Sequence, residues 1–336
     1  NEFYRNMRDS YDPLTNTVKD LRIDDRDFKL AKNIMDYSAN FMGQYAKLPY
    51  ARQLWILATL TAEFCPRCAD PDVLNIENVE VDDDPYEVAD RLVLLNKGVC
   101  PKCNSGKGEM VLAGELNDYN RLGGILGQRA GKSSMVNSGT SYWVHRILMM
   151  PRYAAICANI QDFSPITITL VALSLGRAAK LLWNPLSEIF KTSSWFTEYH
   201  QMLRDQGKRY GTELITFNKM SLFYAHKNIE IAPMGPMKRT LRGDSRVVGV
   251  VDELSWFPNK KMEEVDADGN PEIDEREIAN ADEVHTSLEN SLLTLRTEVY
   301  GLYKKGYNHI PNGMGFYISS PSSWTDKLCR MYKESE

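Results

Sequence analysis

The 336-residue chain carries 40 Lys or Arg against 45 Asp or Glu, a net charge of −5, with 43% apolar and 10% aromatic residues. That composition can fill a sizeable core. It excludes a disordered chain, a disulfide-stapled miniprotein and a domain that is basic throughout. The most apolar stretch, residues 166–175, is half the roughly 20 residues that a membrane span needs, so a cytoplasmic protein with no membrane contact is expected. The chain opens Asn-Glu-Phe, without Met or signal sequence, and reads as a fragment of a longer protein.

Residues 1–60 predict a mostly helical segment, with Pro49 introducing a helix that begins Tyr50-Ala-Arg-Gln53. Residues 61–110 are loop-like and hold four of the six cysteines. Cys65-Pro-Arg-Cys68 and Cys100-Pro-Lys-Cys103 are two knuckles thirty-one residues apart. Each puts two thiolates on one tight turn, and two such turns complete a closed, structural zinc site of four cysteines. The basic residue inside each knuckle is expected to offset the thiolate charge. A redox pair is the alternative that the duplication argues against. Cys157 and Cys329 sit in apolar or helical contexts and read as core residues.

Charge comes in blocks. Residues 63–90 hold ten carboxylates against one Arg, residues 177–246 twelve bases against six acids, and residues 252–290 thirteen acids against three bases. Such blocks read first as solvated faces. The total of −5 therefore leaves room for a local basic surface.

Gly127-Gln128-Arg129-Ala130-Gly131-Lys132-Ser133-Ser134 contains the Gly-Lys-Ser core of a phosphate-binding loop. Gly131 lets backbone N–H groups turn onto phosphate oxygens, and a helix starting near Lys132 adds its positive N-terminus. Lys132 would bridge the β- and γ-phosphates of ATP, and the Ser133 hydroxyl would ligate Mg²⁺. The usual spacing asks for Gly at 126, where this chain has Leu126, with Gly127 one place late. An ordinary strand-to-helix turn is the bland alternative.

Strand patterns follow at residues 166–173, 213–217, 229–232, 247–251 and 315–319, with helical patterns at 178–190 and 283–303 between them. This alternation predicts a mostly parallel sheet between helices. The run Val247-Val-Gly-Val-Val ends in Asp252-Glu253, which places Asp252 to orient Mg²⁺ and Glu253 to activate an attacking water. A last strand ends in Ser319-Ser320-Pro, whose hydroxyls would face the γ-phosphate and couple hydrolysis to movement. Residues 266–277 mimic a calcium loop but have Pro271 where that loop needs Gly, so they read as a solvated acidic turn. The five histidines form no catalytic pattern, and Trp195, Phe196 and Tyr199 read as core.

In this order the motifs resemble the N-terminal ATPase domain of the large terminase subunit of tailed bacteriophages. The resemblance covers about residues 45–325 and rests on the loop with an Arg inside it, the strand ending Asp252-Glu253 and the coupling motif at Ser319-Ser320. It implies an additional-strand, RecA-like P-loop NTPase fold, with 1–60 as a helical N-terminal segment, 61–110 as a zinc insertion and 111–336 as the ATPase core. It implies Tyr50 and Gln53 as the adenine side, and Arg242, with Arg239 second, as an arginine reaching a neighbouring subunit's nucleotide. It further implies double-stranded DNA, a portal protein, a small terminase subunit and a homo-oligomeric ring as partners in the infected host's cytoplasm. The family's RNase H-like nuclease domain is absent from residues 1–336, so no nuclease activity is expected. A helicase-like translocase, or a zinc-dependent interaction module with a degenerate ATPase site, are the alternatives.

Overall fold

The structure is a computed structural model that describes residues 11–12, 17–18, 28–42, 49–127, 131–150, 166–237, 241, 245–257, 279–308, 310–320 and 326–335. The first residues are not helical throughout: β1 (Tyr11–Asp12) and β2 (Thr17–Val18) pair antiparallel. The helices α1 (Ile34–Asn40) and α2 (Ala51–Leu60) follow. The cysteine region is more ordered than its loop-like composition predicts, with short 3-10 turns at Pro71–Leu74 and Ile76–Asn78 and the helices α3 (Pro85–Leu92) and α4 (Lys107–Leu112). Asp70, Asn75 and Asp84 cap three of these starts by accepting from backbone N–H groups.

The body is a seven-stranded sheet. In chain order its strands are β3 (Arg121–Ile125), β4 (Ile166–Val171), β5 (Ile215–Phe217), β6 (Leu222–Tyr224), β7 (Ile229–Met234), β8 (Ser245–Asp252) and β9 (Met314–Ser319). Their spatial order is β3-β9-β8-β4-β7-β6-β5. The first five are mutually parallel, and β6 and β5 add an antiparallel edge. The central strands β4, β8 and β9 are buried along nearly their whole length, which is why their sequences read as unbroken apolar runs.

Helices cover both faces. α5 (Lys132–Leu148) and α2 share a core with Ile168, Val248, Val250, Phe316 and Ile318. On the other face, α9 (Ala281–Tyr303) and α10 (Lys327–Ser335) pack Val284, Leu288 and Leu328 against Val251 and Tyr317. The helical pattern after β4 is a composite: α6 (Leu175–Ala178), a π turn at Ala179–Trp183, and α7 (Asn184–Thr192). Then α8 (Ser194–Tyr210) buries Trp195, Phe196 and Tyr199, which are core as expected. No helix among the described residues is long and apolar enough to cross a membrane.

Candidate nucleotide site and metal centre

The strands β3, β9 and β8 end side by side, with Ile125 opposite Ser319 and Ile318 opposite Asp252. Leu126 N–H extends the ladder by donating to Ser319 O at 3.0 Å. In open parallel sheets this carboxyl edge is where ligands bind. Every sequence-predicted catalytic residue among the described ones lies here.

Gly131 sits at φ +76° and caps the N-terminus of α5, a left-handed turn that favours glycine. A Cβ at this position would also lie 2.6 Å from Gln53 Nε2, so Gln53 at the start of α2 touches the turn itself. Tyr50 N–H donates to Gln53 Oε1 at 3.4 Å, and the Tyr50 ring is 63% exposed beside it. Ser133 and Ser134 lie in the first turn of α5, Ser133 half-buried and Ser134 exposed. Among the described residues nothing lies within 4 Å of where a Cβ at Gly127 would stand. Gln128, Arg129, Ala130, Arg239 and Arg242 lie outside the described residues, as do Cys157 and residues 266–277.

Lys132 Nζ lies 3.0 Å from Glu253 Oε1 and donates to Ser320 Oγ at 2.7 Å. Ser320 N–H donates to Glu253 Oε2 at 3.1 Å, and Ser319 Oγ lies 3.2 Å from the same oxygen. Ser255 N–H in turn donates to Ser319 Oγ at 3.3 Å. Glu253 adopts φ +60°, a left-handed conformation costing a non-glycine residue about 1–2 kcal/mol. That turn aims its carboxylate across the strand tips. Burial acts to raise the Glu253 pKa, but Lys132, Ser320 N–H and Ser319 outweigh it and hold the carboxyl below its usual range. Asp252 is the opposite case: burial, then the charge of Glu253, push its pKa up. Its Oδ1 is buried with no hydrogen-bond partner among the described residues, a carboxylate oxygen suited to a cation or a water of its shell.

The four cysteines converge. Their sulfurs all lie within 4.8 Å of one another, with Cys65 and Cys103 at 3.6 Å. Tetrahedral zinc with Zn–S near 2.3 Å needs sulfurs about 3.8 Å apart, so the quartet fits the ion. Lys102 N–H and Cys103 N–H each donate to Cys100 Sγ at 3.4 Å, the backbone-to-sulfur bonding that supports a thiolate ligand. The knuckle Arg67 turns its side chain to carboxylates and a hydroxyl. Its guanidinium donates to Glu115, to Glu109 at 2.7 Å and to Ser105 Oγ at 2.6 Å. Cys329 is half-buried on α10.

Two polar clusters were not visible in the sequence. Glu63, two residues before the first knuckle, is buried and accepts from Tyr142 Oη at 2.6 Å and Ile34 N–H at 2.9 Å, with Arg146 at 3.1 Å. Glu289 of α9 is held by Arg296 at 2.6 Å, Tyr317 Oη at 2.6 Å and Arg121. Both join residues far apart in the chain, and no local pattern marks them.

The strand β9 lies between the strand that leads into the Gly-Lys-Ser turn and the strand that ends in Asp252, and the class so defined is a mixed α/β fold with a seven-stranded, mostly parallel sheet between helices. No protein-family model matches the chain, and no curated protein matches it. Among solved structures it is similar to the crystal structure of the HK97 bacteriophage large terminase. The identity is 13% and the TM-score 0.35, and the match covers 83% of this chain and 40% of that chain. The likeness assigns no residue of this chain a role.

Proposed function

We propose that this chain is the ATPase motor domain of a viral DNA-packaging terminase, binding ATP between α2, the Gly131 turn and the tips of β8 and β9. One observation carries the hydrolase reading: Lys132, Glu253 and Ser320, from three separate segments, meet within hydrogen-bond distance at one sheet edge. The motif order, from Gln53 through Lys132 and Glu253 to Ser319, supports the terminase reading within that class.

The residues have separable roles. Backbone N–H groups at the start of α5 and Lys132 hold the phosphates, and Gln53 with Tyr50 flanks the base. Ser133 and Asp252 would hold Mg²⁺, which supplies charge neutralisation on the phosphates. Glu253, kept ionised by its surroundings, accepts a proton from the attacking water. Ser319 and Ser320 fix the orientation of that carboxylate and join it to β9. Arg242 would reach the nucleotide of a neighbouring copy, so that hydrolysis depends on assembly into a ring. Exposed Arg177, Lys180, Arg204 and Arg209 give the basic region a surface for DNA phosphates. Portal and small-subunit contacts, and work in the cytoplasm of an infected host, follow from the same reading.

The test is steady-state ATP hydrolysis with and without double-stranded DNA. Glu253→Gln should lower kcat by about 10²-fold or more while ATP still binds. A wild type as inactive as the variant at high protein concentration with DNA overturns the proposal.

A further inference from the structure

The helix α2 reaches both candidate centres. At its first turn Gln53 touches Gly131. At its middle Leu57 crosses α5 at Gly139, where a Cβ would lie 3.1 Å from Leu57 Cδ2 and 3.2 Å from Phe316 Cζ. At its end Thr61 O accepts from the buried Lys107 Nζ at 2.8 Å, and Glu63 grips Tyr142 of α5. The residues between the knuckles lie over its outer side. Trp55 Nε1 donates to Val73 O at 2.7 Å, Arg52 Nε donates to Val79 O, and Val73, Val79, Val88 and Leu92 are buried in the same core as Leu54 and Leu57.

The segment 69–99 is thus a strap across α2, and the four cysteines join its two ends. We infer that metal binding at Cys65, Cys68, Cys100 and Cys103 tightens this strap and seats α2 on α5, so that metal occupancy sets the affinity of the nucleotide site through Gln53. Closing a loop of this length removes conformational freedom that the strap otherwise spends in leaving the helix. The zinc centre acts as a positioning device for a ligand pocket, with no contact of its own to the ligand. The inference rests on the nucleotide reading above for its affinity arm alone.

The experiment compares the full chain with zinc bound and after chelation under reducing conditions, metal content being measured in each. Three quantities are read: affinity for a fluorescent adenosine diphosphate, affinity for inorganic tripolyphosphate, and amide hydrogen exchange along the chain. Zinc loss should weaken the adenine nucleotide about five- to tenfold, the effect of one or two lost hydrogen bonds, and leave tripolyphosphate within about twofold. Exchange should speed up in 51–60 and stay slow in the central strands. Trp55→Phe, which loses the bond to Val73 O while keeping all four cysteines, should weaken the adenine nucleotide with zinc still bound. In Gln53→Ala, chelation should bring no further loss. Unchanged exchange in 51–60 after zinc loss overturns the inference, as does equal weakening of both ligands. If the zinc-loaded protein binds neither ligand, the nucleotide reading fails, and exchange in 51–60 still decides the strap.

Discussion

Arg296 offers the sharpest energetic test of how the sheet is held. Its guanidinium is nearly buried, pairs with Glu289 at 2.6 Å, and donates to Gly313 O at 3.0 Å and Asn120 O at 2.8 Å. It therefore ties α9 to the entries of β9 and β3 at once. Arg296→Met removes those bonds and leaves the Glu289 carboxylate with only the half-exposed Arg121 and Tyr317 Oη, which predicts a loss of about 3 kcal/mol, the low end for a broken buried pair. The double variant Arg296→Met, Glu289→Gln removes the stranded charge while keeping an acceptor for Tyr317 Oη. The backbone bonds and the half-exposed Arg121 ion pair then stay lost, and the expected cost falls to about 1–2 kcal/mol. The pH dependence supplies an independent sign. Burial acts to raise the Glu289 pKa in the wild type, but Arg296 and Tyr317 outweigh it, so the net shift is downward. Its contribution is present above the unfolded carboxylate value and fades as pH falls through the lower folded one. In Arg296→Met burial is less opposed and the folded value moves up from its wild-type position, so acidification through the carboxylate range narrows the gap to wild type. Urea unfolding followed by tryptophan fluorescence at pH 7 and at about pH 4 reads both effects. A single variant within 1 kcal/mol of wild type, or no less stable than the double, would refute the reasoning.

Burial holds the pKa of His145 and His200 down to about 3 each. Their unfolded forms take up protons first, so stability should fall as pH drops below about 6.5, by about 2 kcal/mol per histidine at pH 5. A thermal melt that is flat between pH 7 and pH 5 would contradict this. Metal analysis of protein purified without chelator should give about one zinc per chain, and Cys65→Ser with Cys100→Ser should abolish it. Gly139→Val places a branched side chain against Leu57 and Phe316, both fully buried, and should cost about 1–3 kcal/mol in the same unfolding assay.

The strands β4, β8 and β9 were legible because burial on both faces writes unbroken apolar runs. The start of α5 at Lys132 was legible because its Gly-Lys-Ser turn is a chemical signature. The strand β3 was not: Arg121-Leu-Gly-Gly-Ile lies at the sheet edge with alternating exposure, and two glycines dilute any strand propensity. The hairpin strand β6 is too short, at three residues, to show a period. In the site, Lys132, Glu253 and Ser320 could be named singly, but their convergence depends on β9 entering between β3 and β8. Glu63 and Glu289 escaped notice because an isolated acid in a helix or loop reads as solvent-facing until its distant partners are known.

The π turn at Ala179–Trp183 bears on how this chain tolerates change in length. Through the turn and the helices either side, Ala178, Leu182, Leu186 and Phe190 are all fully buried at steps of four residues, a spacing wider than the α-helical repeat. The wide turn absorbs one extra residue and keeps that row buried. Deleting a single residue from an ordinary helix rotates everything downstream and exposes its core face. Here a deletion inside the turn would restore regular α geometry. A related chain one residue shorter in this helix would carry the same buried row, and the position of the gap would follow the turn.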